Sequence, residues 1–118
     1  MSQCTENTIV FKKEFKEEFY KRARESNEHI SYIKEIYQKD AFDYLICTFD
    51  CNGAPIDIID DFDWYIIETN YFDNEPFWTQ KQGKGDTNWH ASTYIKKMIG
   101  LEEFKKIEES LMYSDGRL

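Results

Sequence analysis

The spacing of apolar residues changes character twice along this chain, and that change limits the folds open to it. In the first forty residues, Phe11, Phe15, Phe19 and Ala23 recur every four positions, with Ile9 and Tyr20 beside them. A stripe of that period is what one buried face of a helix requires. It predicts a first helix from about Thr8 to Arg24, with Lys12, Lys13, Lys16, Glu17 and Lys21 on the other faces. Ser26-Asn27 reads as a break and helix cap. Ile30, Ile33, Ile36 and Tyr37 then predict a second helix ending near Lys39.

From Phe42 the pattern loses its helical period. Phe42 to Phe49 and Trp64 to Phe72 are rich in aromatic and β-branched residues, which favour strands, and Asn52-Gly53 with Pro55 marks a turn between them. Pro55 to Phe62 is open to either a short helix or a strand. Residues 73–86, with Asn74, Pro76, Gly83 and Gly85, read as one long loop. Asp86 is a candidate cap for a third helix to about Met98, Gly100 a stop, and Leu101 to about Tyr113 a fourth helix. The tail, Ser114 to Leu118, reads as frayed. The expected fold is a small α+β domain spanning 1–118: two N-terminal helices, a short antiparallel meander of two or three strands, and two C-terminal helices.

A chain of 118 residues with 41% hydrophobic and 17% aromatic content can bury a core without staples. Three cysteines, Cys4, Cys47 and Cys51, form an odd set, which suits reduced thiols in a cytoplasm. No stretch approaches the roughly 20 apolar residues of a membrane span. Met1 to Thr8 has no basic region leading into an apolar run, so it does not read as a secretory signal.

Charge is distributed unevenly. The net charge is −8, yet residues 40–80 hold ten Asp/Glu and no Lys or Arg, while the flanking segments are each close to neutral. This block interleaves Asp57, Asp60, Asp61, Asp63, Glu68, Asp73 and Glu75 with Trp64, Tyr65, Tyr71, Phe72, Phe77 and Trp78. Clustered carboxylates steer a cationic partner inward. Aromatic side chains supply desolvated anchors. The candidate partner-binding residues are therefore those seven acids with Trp64 and Trp78. The plainer reading makes the acids solvated strand faces and the aromatics core.

Other chemistries fit less well. Asp57 to Glu68 has the length of a calcium loop, but Ile59 and Phe62 stand where an oxygen ligand and a glycine are needed. Cys47 and Cys51 lack the spacing of a zinc or redox pair and read as core. His29 and His90 are the only imidazoles. His90, beside Gly83 to Gly85, could act as a general base oriented by a middle-third carboxylate. Gly83-Lys84-Gly85 lacks the spacing of a phosphate loop. With no basic stripe, direct nucleic-acid binding is disfavoured. No cofactor or metal is expected.

Three functions remain on these grounds. The first is an inhibitor that fills the basic substrate groove of a nuclease-type toxin; in size, acidity and expected location the chain resembles bacterial immunity proteins, a likeness of class that covers no motif. The second is a nucleic-acid mimic that blocks a DNA- or RNA-binding protein. The third is a small enzyme using His90 and a carboxylate.

Overall fold

Thr5, Thr8, Ile9, Val10 and Phe11 carry the branched and aromatic side chains that pack well on a pleated surface. In the computed structural model they lie in a strand, β1 (Cys4–Lys12), where a helix was expected. The structure describes residues 4–26, 30, 32–52, 59, 62–71, 78–82 and 91–111. Thr5 and Asn7 to Phe11 are all buried, so β1 is covered on both faces and shows no inside–outside alternation. That is why its strand period was hidden. Lys13–Phe15 then form one 3-10 turn, and α1 (Lys16–Glu25) follows. The spacing of four still has a cause. Phe11, from the strand, meets Phe19, from the helix, at 4.9 Å between ring centroids, and Phe15 stacks on Phe62 at 4.7 Å. The stripe gathers one cluster across a strand, a turn and a helix.

Four further strands follow: β2 (Tyr32–Tyr37), β3 (Tyr44–Asn52), β4 (Tyr65–Tyr71) and β5 (Trp78–Gln82). They form one antiparallel sheet in the order β2-β3-β1-β4-β5, with β1 at its centre. The expected second helix is thus strand β2. Its register slips between Glu35 and Tyr37, so Ile33 packs against one face of the sheet while Ile36 and Tyr37 pack against the other. This bulge gave its apolar residues a helix-like spacing. β3 and β4 lie where strands were expected, whereas β5 occupies part of the stretch expected as loop.

Two helices are the last described elements, α2 (Ala91–Ile99) and α3 (Leu101–Ile107), continued by a 3-10 turn at Glu108–Ser110. Gly100 separates them with φ of 89°, a left-handed conformation that glycine adopts without steric cost. Its N–H donates to the Lys96 carbonyl at 2.9 Å, and its own carbonyl accepts from Phe104 N–H at 2.9 Å. The domain is α+β, but its strands are N-terminal and central, and of the three α-helices with described bounds two lie toward the C-terminus. Two N-terminal helices and a short meander do not describe it.

The sheet is sandwiched. On one face, α1 with Ile59 and Phe62 covers Ile9, Phe11, Leu45, Cys47, Phe49, Cys51, Tyr65 and Ile67. On the other, α2, α3 and Leu111 cover Val10, Ile46 and Ile66. Fully burying a side chain such as Phe19 contributes about 1.5–3 kcal/mol. Cys47 and Cys51 are buried free thiols within the first cluster. Among the described residues, no helix is long and apolar enough to cross a membrane.

Candidate functional site

Of the seven acidic candidates, Asp63 and Glu68 fall among the described residues. Asp57, Asp60, Asp61, Asp73 and Glu75 lie outside the described residues, as do His29, His90 and Gly83 to Gly85. Trp78 opens β5. Asp63 is exposed and Trp64 is half-buried. Glu68 departs from expectation: it is fully buried, and its Oε1 accepts the backbone N–H of Ala91 at 3.1 Å. Ala91 is the first residue of α2, where helix N–H groups lack intrahelical partners and a negative charge is favoured. Glu68 therefore docks a helix onto the sheet and does not belong to an exposed acidic surface. Among the described residues, no group of His, Cys, Asp and Glu is placed to hold a metal ion.

At the end of the sheet where β1 finishes and β3 and β4 begin, four rings form a chain. Tyr37 meets Phe42 at 5.2 Å, Phe42 meets Tyr44 at 5.6 Å, and Tyr44 meets Trp64 at 4.9 Å between centroids. All four are half-buried and rest on the cluster beneath α2 and α3. Exposed Asp40, Asp43 and Asp63 adjoin these rings in sequence. Lysines stand at the same end, but two are tied down. Lys39 pairs with Glu103 at 3.3 Å, and Lys13 Nζ donates to the Lys39 carbonyl at 3.0 Å. Partly exposed aromatics with carboxylates close in sequence can bind a cationic surface through both charge and ring faces.

A second polar constellation emerges only from strand register. Thr8 stands opposite Thr48 on one side and Glu68 on the other, and Glu6 stands opposite Asp50. Alternation puts these residues on the same face as Val10, Ile46 and Ile66, beyond the apolar patch that α2 and α3 cover. Thr8 and Thr48 are fully buried, yet neither hydroxyl has a hydrogen-bond partner among the described residues, and Asp50 Oδ1 is buried in the same state. Burial pushes the Asp50 carboxyl above the usual carboxylate range.

The opposite face handles its buried polar groups differently. Thr69 Oγ1 donates to Asn7 Oδ1 at 2.7 Å, Asn7 Nδ2 donates to Thr5 Oγ1 at 3.0 Å, and Thr5 Oγ1 donates to the Cys51 carbonyl at 3.1 Å. That network is closed, as buried polar groups normally are. Among the described residues, Thr8, Thr48 and Asp50 are exceptions, as is Trp64, whose Nε1 is buried without a partner. Glu6 and Asp50 were not among the sequence candidates. Their trace was the alternation Glu6–Thr8, Thr48–Asp50 and Glu68–Asn70, legible only once β1 is read as a strand.

No family model matches this chain, and neither a curated protein nor a solved structure matches it.

Proposed function

We propose that the protein is a binding inhibitor of a basic protein, in the specific form of an immunity protein that neutralises a nuclease toxin by covering its substrate groove. The observation that carries this reading is charge segregation: ten Asp/Glu and no Lys or Arg across residues 40–80. A nuclease must line its groove with Lys and Arg to hold phosphates, and a negative surface is steered to such a groove. Exposed Asp40, Asp43 and Asp63 beside the aromatic chain from Tyr37 to Trp64 support it, because rings supply binding energy where charge supplies encounter. Glu68 is left out of the proposed surface because it is buried.

The test is capture from native lysate at low salt, followed by washing at rising salt. One basic protein held to moderate salt, with its nuclease activity suppressed in the complex, is the expected result. Replacing Asp60, Asp61 and Asp63 with Asn should slow association and flatten its salt dependence. If no basic protein is retained, the acidic block is a solvated surface and the reading falls.

A further inference from the structure

We propose that a groove between α1 and β2 binds a medium-chain aliphatic carboxylate, with the chain on isoleucine walls and the carboxylate on Arg24. The site goes beyond the inhibitor reading and does not depend on it. It lies on the sheet face that α1 covers, whereas the aromatic row from Tyr37 to Trp64 rests on the cluster of the opposite face.

Both elements supply the walls. Tyr20 and Ala23 stand three residues apart on α1 and so share a face of the helix. With Arg24, Ile30 and Ile33 they line a groove of about 250 Å³ that opens to solvent. Tyr20, Ile30 and Ile33 are half-buried, packed inward on the core cluster and bare toward the groove. β2 is the last strand on its side of the sheet, so among the described residues no further strand covers them. Pockets for drug-sized ligands run from about 300 to 1,000 Å³, and a smaller apolar groove suits a short hydrocarbon chain. Tyr20 presents its ring here, since its hydroxyl donates to Glu35 Oε2 at 2.7 Å.

Charge around the groove selects the sign of the ligand. Glu35 is already satisfied, by Tyr20, by Lys16 Nζ at 3.3 Å and by Gln38 Nε2, which donates to its Oε1 at 2.7 Å. Glu18 on α1 is held by Arg22 at 2.9 Å. Arg24 differs. It is exposed, it forms part of the groove wall, and it enters no ion pair among the described residues. A guanidinium can hold a carboxylate with two parallel N–H donors. Apolar walls ending in such a cation complement an aliphatic carboxylate and disfavour an alkylammonium of the same length.

Octanoate, kept below its micelle concentration, is the probe on the full chain. The methyl signals of Ile30 and Ile33 and the Nε–H signal of Arg24 are followed by NMR, with octylammonium and acetate in parallel at equal ionic strength. The expected result is a saturable response of all three residues to octanoate, at least threefold weaker binding of octylammonium, and no saturable response to acetate. Arg24→Gln should weaken octanoate binding at least threefold, the size of effect that an ion pair open to water supplies. Lys105→Gln, on exposed α3, should leave it unchanged, and the amide spectrum of each variant verifies its fold.

Equal binding of octanoate and octylammonium, or equal octanoate binding by wild type and Arg24→Gln, means apolar adsorption alone and overturns the site. An octanoate response no different from that to acetate does the same. Retention on phosphatidylglycerol vesicles without a response to monomeric octanoate overturns the small-molecule site in favour of a lipid surface.

Discussion

Replacing Thr8 with Val removes a buried hydroxyl and keeps the branched shape of the side chain. Thr8 is fully buried and its Oγ1 has no partner among the described residues; the same holds for Thr48 directly across the strand pair. Leaving such a group desolvated costs about 1–3 kcal/mol. Thr8→Val should therefore stabilise the domain by about 1–2 kcal/mol, and Thr48→Val by a similar amount. For a chain of this length the unfolding entropy is about 250 cal/mol/K, so each kcal/mol raises Tm by about 4 °C. The double variant should gain less or more than the sum, because the two residues touch the same space. The assay is urea and thermal unfolding of the four proteins of the cycle, with the denaturant slope verified as constant. Destabilisation by 1 kcal/mol or more in either single variant would instead show that the hydroxyl makes a hydrogen bond.

Three further outcomes follow from the structure. The Asp50 carboxyl is raised by burial, so the folded state holds its proton at a pH where the unfolded chain has released it; its contribution is favourable below the unfolded value of 3.8 and is lost as pH rises through the folded value. Asp50→Asn should thus raise stability at pH 7 and change little at pH 3, and equal effects at both would count against a buried charge. Cys47 is buried and its thiol is pushed well up, first by desolvation and then by Glu35, so native protein should resist iodoacetamide at Cys47 at pH 8 while unfolded protein reacts, read by mass spectrometry. Gly100 has φ of 89° and a Cβ there would meet nothing within 4 Å, so Gly100→Ala should cost about 1 kcal/mol from backbone strain alone; no loss on urea unfolding would mean the α2–α3 junction relaxes freely.

Local chemistry was enough to read part of this molecule. The strands at Tyr44–Asn52 and Tyr65–Tyr71 follow from their β-branched and aromatic runs, and the α2–α3 break follows from Gly100. The block of acids without lysine or arginine is a property of sequence alone. What pattern could not reveal was which faces would be covered. β1 is buried on both sides by partners far along the chain, so its period-two signal vanished and its phenylalanines imitated a helix. β2 imitated one through its bulge. Glu68 counted as surface charge until tertiary packing placed it beneath the first residue of α2. Glu6 and Asp50 became neighbours only when β1 paired with β3. Helical hydrogen bonds close within four residues and leave their mark in local spacing, whereas strand partners are chosen across the chain, so register, and with it the polar row, belongs to the tertiary structure.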